Sequence, residues 1–149
     1  MTDIDLMQLA IDEAWQGVRS GNGEVGVVIA RQGQVVYRGF NRINTSNDVT
    51  GHAEIDALRA VSKDMETLDL AEYTLYCTLE PCGMCTCACA WAHVGRIVFG
   101  AGREEVPGRY FELDGVSCAQ LVRSAKSRLT VTPGVLRERC LELYRRKPA

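Results

Sequence analysis

Four cysteines lie within eight residues of the segment PCGMCTCACA, which spans residues 81–90. Pro81 follows an apolar segment and suits the first position of a helix, so Cys82 and Cys85 fall near its first turn, three residues apart on one face. Two sulfurs at that spacing can bind one metal ion at about 2.3 Å each. The unpaired N–H groups of a helix start also favour the thiolate, which is the form that binds metal.

The other two cysteines of this segment are poorer ligands for the same ion. Cys89 shares the face of Cys82, but seven residues of helix correspond to a rise of about 10.5 Å, too far for one ion. Cys87 points to another face. A Cys85–Cys89 pair is geometrically possible, but it lies a turn deeper, where the helix N–H groups are already bonded. The remaining cysteines are expected to pack as small apolar side chains on buried or half-buried faces, namely Cys77, Cys87, Cys89, Cys118 and Cys140.

Two cysteines do not complete a metal site, so a third ligand is needed. The chain has two histidines, and His93 lies eight residues past Cys85, too distant to share its ion. His52 opens a second predicted helix, and helix starts gather at the carboxyl edge of parallel strands. Three protein ligands leave a fourth position for water, as in catalytic zinc sites, where that water loses a proton near pH 7. A proton-transferring carboxylate is then required, and Glu54 and Asp56 are both candidates, with Glu54 nearer to His52.

The rest of the pattern places these residues on alternating helices and strands. Apolar spacing predicts helices over 3–20, 52–64, 81–93, 116–126 and 133–147, with Asp114 capping the fourth and Pro133 starting the fifth. Short apolar runs predict strands over 25–31, 34–40, 74–79, 96–102 and 128–132. The strand–helix–strand unit 74–102 predicts parallel neighbours. The sequence therefore predicts an α/β fold, a three-layer α/β/α sandwich whose five-stranded mixed sheet carries helices on both faces.

Length and composition indicate one domain over residues 1–149. No apolar run approaches 18 residues, and the acidic N-terminal segment lacks the basic residues of a secretory signal. A cytoplasmic protein with reduced thiols and no membrane contact is expected. Residues 1–122 carry nine Lys/Arg against seventeen Asp/Glu, whereas residues 123–149 carry eight against two. The basic C-terminal segment either contacts nucleic acid or is the solvated face of a terminal helix.

The motifs HAE at residues 52–54 and PCGMC at residues 81–85 together form the pattern H-x-E…P-C-x-x-C. The chain therefore resembles the cytidine deaminase-like zinc deaminases, in which the glutamate is a general acid/base and not a ligand. Within that superfamily it resembles the branch of cytosine deaminases, bacterial guanine deaminases and tRNA adenosine deaminases. The resemblance runs from the first helix to RIVFGAG, and it is strongest in NTSNDVTGHAEIDALR and TLYCTLEPCGMCTCACAWAHVGRIVFGA.

The resemblance implies one zinc ion bound by His52, Cys82 and Cys85, with Glu54 moving protons and Asn41 hydrogen-bonding the base. The implied reaction replaces an amino group on a cyclic amidine carbon by a carbonyl and releases ammonia. The resemblance also implies a homodimer. A non-catalytic zinc-binding protein is the alternative from another functional class.

The expected substrate is a small nucleobase-like heterocycle of the cytosine or guanine type. The acidic residues of 1–122 and the absence of a Thr-Gly-Ala segment disfavour tRNA, so a tRNA adenosine deaminase that uses the basic C-terminal helix is the alternative. Glu24 stands where the family usually has proline; either it faces the pocket and accepts hydrogen bonds from the base, or it is a solvated turn residue. The expected substrate contacts are Asn41, Ala53, Glu24, Trp91, Phe111 as a lid, and Asp114 or Glu112 as a late carboxylate.

Overall fold

A five-stranded mixed sheet forms the centre of the molecule, as the sequence predicts. The computed structural model describes residues 1–146, so Lys147 of the basic C-terminal segment lies outside the described residues. The strands are β1 (Gly26–Arg31), β2 (Gln34–Phe40), β3 (Tyr73–Leu79), β4 (Arg96–Ala101) and β5 (Thr130–Thr132). Their order across the sheet is β2-β1-β3-β4-β5. β1 is antiparallel to both of its neighbours, whereas β3, β4 and β5 are parallel.

Helices cover both faces of this sheet and enclose two apolar cores. One face carries α1 (Asp3–Arg19) and α6 (Arg137–Tyr144), and its core includes Leu6, Val28 and Leu141. The other face carries α3 (Ala53–Asp64), α4 (Gly83–Trp91) and α5 (Cys118–Ser124), with Ala57, Leu75 and Ile97 in the core. A short helix, α2 (Ile43–Ser46), lies in the loop between β2 and α3. The α/β/α sandwich is therefore confirmed; the single domain over residues 1–149 stays a prediction.

Three predicted helix starts are wrong by a few residues. Pro81 precedes the N-cap, which is Cys82, so α4 begins at Gly83. Ser117, not Asp114, caps α5, because the Ser117 hydroxyl accepts the N–H of Gln120. The last helix begins at Arg137, not at Pro133, because the left-handed backbone of Gly134 (φ 80°) and Leu136 (φ 51°) interrupts a helix that starts earlier.

The basic C-terminal segment is partly neutralised by the protein itself. Arg137 pairs with Glu105, Arg145 with Glu138, and Arg146 with Glu24. These contacts favour a solvated helix face over a free basic surface. Among residues 1–146, no helix has both the length and the apolar character needed to span a membrane.

Candidate zinc site and active-site cavity

Two helix starts meet at one edge of the sheet and bring the predicted ligands together. β2 and β3 run in the same direction because each is antiparallel to β1, so the helices that follow them, α3 and α4, both begin at this edge. His52 is the N-cap of α3 and Cys82 is the N-cap of α4, with Cys85 in its first turn. The Nδ1 atom of His52 lies 3.5 Å from Sγ of Cys85 and 3.8 Å from Sγ of Cys82.

This donor set fits zinc. One imidazole nitrogen and two sulfurs form the cluster, and the nitrogen–sulfur distances of 3.5 and 3.8 Å are close to the roughly 3.5 Å that separates ligands on a tetrahedral ion with bonds of about 2.0–2.3 Å. Hydrogen bonds from Cys85 and His52 lower the pKa of Cys82 to about 4, so its sulfur is a thiolate. The hydrogen bond to that thiolate, followed by burial, raises the pKa of Cys85. The Cys82 thiolate, with a second sulfur and an imidazole nitrogen beside it, can therefore bind a metal cation.

Glu54 lies beside the ligands and is the buried carboxyl that the chemistry needs. Its residue is 4% exposed and sits in the first turn of α3, two positions after His52. Burial, and then the negative charge of Cys82, raise the pKa of Glu54 above its ordinary value. A raised pKa makes a carboxylate a stronger base, which suits it to accept and return a proton. The alternative carboxylate, Asp56, pairs with Arg42 at 3.8 Å instead.

A cavity of about 280 Å³ opens above the ligands and contains most of the predicted substrate contacts. Asn41, Ala53, Glu24 and Phe111 all lie in its wall. The remaining lining residues are Gly23, Val25, Ile43, His52, Glu54, Leu79, Glu80, Cys82, Arg109, Tyr110 and Glu112. Ligand pockets begin at about 300 Å³, so this cavity suits one small ring system.

Asn41 is held by its backbone N–H and its side-chain oxygen, and its amino group has no hydrogen-bond partner among residues 1–146. Its backbone N–H donates to the carbonyl of Val25 at 2.9 Å, and its Oδ1 accepts the N–H of Ile43 at 2.8 Å. Because the oxygen is used within the protein, the Nδ2 amino group is the part of Asn41 that can donate into the cavity.

Two predicted substrate contacts, Trp91 and Asp114, lie outside the cavity wall. Trp91 is 86% exposed and lies beside Leu68 in a separate groove of α3 and α4. It is the last residue of α4, and six residues of helix carry it about 9 Å beyond Cys85, away from the edge where the helix starts meet. Asp114 is exposed and lies outside the cavity wall, next to Gly115, whose left-handed backbone (φ 70°) turns the chain. Glu112 is instead the late carboxylate in the wall.

The other cysteines mostly pack as predicted. Cys77, Cys89, Cys118 and Cys140 are buried, and burial raises the pKa of Cys77 and Cys89 well above the ordinary value. Cys87 is the exception, because it lies on the solvent-facing side of α4 and is exposed.

Glu80 is a cavity residue that the sequence reasoning missed. It is 7% exposed, and its two carboxylate oxygens accept the backbone N–H groups of Arg103 at 3.1 Å and of Cys118 at 2.9 Å. Residues 103–117 are here called the wall segment. Glu80 therefore binds the backbone at both ends of this segment. The only signal in the sequence was its position, directly before the Pro81-Cys82 pair.

Glu24 faces the cavity, but its carboxylate contacts the protein. The Tyr110 hydroxyl donates to Oε2 at 3.1 Å, and Arg146 pairs with Oε1 at 3.2 Å. The Glu24 side chain is only 23% exposed, so it is not a solvated turn residue.

Known proteins with the same arrangement identify the family. The model of the cytidine and deoxycytidylate deaminase zinc-binding region matches residues 1–101. The chain is 33% identical over 142 residues to the tRNA-specific adenosine deaminase of Haemophilus influenzae, covering 93% of this chain and 78% of that protein. It is 36% identical over 96 residues to the guanine deaminase of Bacillus subtilis, covering 64% and 62%. A structure solved in a study of A-to-I editing by tRNA:A34 deaminases has a TM-score of 0.76 at 29% identity, covering 93% and 98%.

Fold and ligand cluster thus define a zinc-dependent hydrolase that acts on C–N bonds of cyclic amidines. The chain belongs to the cytidine deaminase-like superfamily of zinc deaminases, whose zinc-binding region spans its first 101 residues.

Proposed function

We propose that this deaminase acts on a small nucleobase-like heterocycle of the guanine type, replacing its amino group by a carbonyl and releasing ammonia. The observation that carries the proposal is the position of Glu54, a buried carboxyl beside the three ligands at the floor of a cavity sized for one ring system. His52, Cys82 and Cys85 would hold the zinc ion, which supplies a Lewis acid that activates water at neutral pH.

The protein's own residues account for the remaining steps. Glu54 accepts a proton from the attacking water and gives it to a ring nitrogen; it then accepts a second proton, from the hydroxyl group added to the ring carbon, and gives it to the amino group, which leaves as ammonia while the carbonyl forms. The Asn41 amino group donates to an acceptor on the ring edge and so orients the base. Ile43, Leu79 and Phe111 supply apolar surface that excludes water from the reacting face.

The guanine-type ring is supported by the pairing of a donor with an acceptor. Asn41 offers N–H groups, and Glu112 brings a carboxylate to the same cavity. A guanine ring carries N–H groups for a carboxylate and carbonyl or ring-nitrogen acceptors for an amide. Cytosine has fewer N–H groups to satisfy Glu112, so guanine is preferred over the cytosine type here.

Adenosine in tRNA is the second candidate, and it is supported by a specific observation. The tRNA-specific adenosine deaminase of H. influenzae aligns with 93% of this chain, across the whole site. The expectation that tRNA is disfavoured is therefore corrected. The ion pairs of Arg137, Arg145 and Arg146 partly neutralise the basic C-terminal segment, which weakens the case for an RNA contact through these three residues.

A substrate panel tests both candidates. The zinc-loaded protein is incubated with guanine, cytosine, adenine, their nucleosides and an unmodified tRNA mixture, and ammonia and inosine are measured. Ammonia from guanine without inosine in tRNA supports the first candidate, whereas inosine in tRNA, with affinity that falls steeply as salt rises, supports the second. No ammonia from any of these compounds contradicts both.

The homodimer remains a proposal that an exposed apolar groove supports. Leu68 and Trp91 are 88% and 86% exposed at a groove between α3 and α4, and burial in a symmetric interface would explain them. Light scattering of the wild type and of a Trp91→Glu variant tests it: a dimer that becomes a monomer is expected, and a monomeric wild type contradicts it. The cytoplasmic location also stays a prediction.

A further inference from the structure

Glu24, Tyr110 and Tyr144, from distant parts of the chain, form a closed cycle of contacts at the cavity wall. The Tyr144 hydroxyl donates to the backbone carbonyl of Glu24 at 2.8 Å. The ring of Tyr110 stands edge-on to the ring of Tyr144, with centroids 5.2 Å apart and planes at 80°. The Tyr110 hydroxyl donates to the Glu24 carboxylate at 3.1 Å and closes the cycle.

Tyr144 and its surroundings make a rigid base for this cycle. Tyr144 is 2% exposed, and its hydroxyl also lies 2.9 Å from Oγ1 of Thr78 in β3. That Thr78 oxygen accepts the N–H of Gly26 at the start of β1 at 3.1 Å. Since both strands belong to the central sheet, the backbone of Glu24 is fixed relative to the zinc ligands.

Tyr110, by contrast, belongs to the wall segment, whose backbone has few hydrogen bonds near this residue. Its neighbours Arg109, Phe111 and Glu112 all line the cavity, yet the backbone contacts nearby are two short turns, Tyr110 N–H to Pro107 and Phe111 N–H to Gly108. Glu80 holds only the two ends of the wall segment. The Arg103 guanidinium lies 4.8 Å over the Phe111 ring and donates to the carbonyl of Leu113 at 2.7 Å, but Arg103 belongs to the wall segment itself. The Glu24 carboxylate ties Tyr110 to a residue outside the wall segment. The Arg109 guanidinium donates to the Tyr110 oxygen at 3.3 Å, which leaves the Tyr110 hydrogen to be donated to Glu24.

We infer that Glu24 is a positioning residue of the active site: through the Tyr110 hydroxyl it holds residues 109–112 against the cavity and so sets how tightly the base is bound. The inference rests on the proposed deaminase function for its kinetic part only. Glu24 makes no contact with His52, Glu54, Cys82 or Cys85 among those described, so its loss should weaken substrate binding and spare the chemical step.

Two single variants and their combination test the cycle. Glu24→Ala and Tyr110→Phe each remove one side of the same hydrogen bond. Each should raise KM about tenfold, the effect of one hydrogen bond to a charged group, while kcat stays within about twofold. The double variant should be no worse than the poorer single one, because the two residues act through one contact. Zinc content should be unchanged in all three.

Hydrogen exchange separates this inference from the proposed function. Amides of residues 109–112 should exchange about tenfold faster in Glu24→Ala and in Tyr110→Phe than in the wild type, whether or not a substrate is known. Glu13→Ala is the matched control, because Glu13 pairs with Arg38 at 2.6 Å away from the cavity; its exchange and KM should not change.

The outcomes are distinct. Faster exchange in an enzyme that turns over no compound of the panel supports the positioning role and contradicts the proposed function. Unchanged exchange, or a fall in kcat with KM constant, overturns the positioning role. If Glu24→Ala does not fold, Tyr110→Phe, which removes a single oxygen atom, decides the question by the same measurements.

Discussion

The Sγ atom of Cys85 lies 3.5 Å from the Nδ1 atom of His52, although 33 residues separate them in the chain. The distance arises from topology, because two helices begin at the same edge of the sheet and each presents its first turn to the other. Neither residue forms a metal site within its own helix. The arrangement of the candidate zinc site therefore depends on the pairing of β1 with both β2 and β3.

Replacing Glu54 should abolish turnover and leave the metal in place. Glu54→Gln keeps the shape of the side chain but cannot accept and return a proton, so kcat should fall by about 10²–10⁴. Ammonia release and zinc content are measured on the same sample. Asp56→Asn is the control and should retain activity, since Asp56 pairs with Arg42. Loss of zinc from Glu54→Gln would make this residue a ligand instead.

Removing a sulfur from the cluster should weaken zinc binding. Cys82→Ser removes a thiolate that lies 3.8 Å from His52, and zinc affinity should fall by more than about 100-fold, the upper range seen when only a supporting residue is lost. Metal analysis after dialysis against a weak chelator measures the effect. Cys87→Ser, on the exposed side of the same helix, should keep full zinc; equal losses in the two variants would contradict the assignment.

Asn41 should bind the base through its amino group. Asn41→Asp keeps the oxygen that accepts the Ile43 N–H, but it replaces the donor by an acceptor, so KM should rise roughly tenfold with little change in zinc content. Steady-state kinetics with the preferred compound of the panel measures this. Asn44→Asp alters an amide that bonds to the carbonyl of Gly21 outside the cavity, and KM should stay at the wild-type value there.

Glu80→Gln should destabilise the fold, although it hardly changes the shape of the side chain. Glu80→Gln leaves one oxygen for one N–H group but turns an amino group toward the other, so one end of the wall segment loses its acceptor. The free energy of unfolding should fall by about 1–3 kcal/mol, and KM should rise. Glu104→Gln changes an exposed carboxylate of the same segment and should do neither. Urea unfolding and kinetics distinguish the two variants.

The ion pair between Asp3 and Arg96 should stabilise the fold in a pH-dependent way. Arg96 donates to Asp3 at 2.7 and 2.8 Å, and this hydrogen bond lowers the pKa of Asp3 below 3.8. A depressed pKa stabilises the fold fully above pH 3.8, and the contribution is lost as pH falls through the lower folded value. Asp3→Asn should therefore cost up to about 1 kcal/mol at pH 6, because the pair is partly exposed, and less near pH 3. Urea unfolding at the two pH values, with Asp64→Asn as control, measures the difference.

Local patterns predicted the parts of the site that depend on helix starts and strand order. The spacing of Cys82 and Cys85 and the position of His52 at a second helix start predict one cluster, and the structure brings these three side chains together. The sequence predicts Pro81 at the first helical position, two positions further into the helix than the structure has it, because a proline before an N-cap and one at the first helical position have the same sequence signal.

The wall of the cavity could not be predicted in the same way. Its contacts join residues far apart in the chain, such as Glu80 to Cys118 and Glu24 to Tyr110, and no periodicity encodes such pairs. Trp91 shows the converse difficulty: an aromatic residue near the ligands in sequence suggested a base contact, but helix rise carries it away from the cavity. Residue types indicated which reactions and contacts are possible, whereas the fold decided which of these residues line the cavity.

The wall segment begins two residues after β4 ends at Ala101, which is also where the match to the family model ends. One part of the cavity wall, Arg109 to Glu112, therefore lies outside the region that the family model matches, whereas Asn41 and Glu24 lie inside it. We expect that exchange of the wall segment alone can change the substrate, provided that the incoming segment keeps backbone N–H groups for Glu80 and a hydroxyl for Glu24. Chimeras that graft residues 103–117 of a relative with a different substrate onto this chain would reveal whether new specificities were acquired by such replacement.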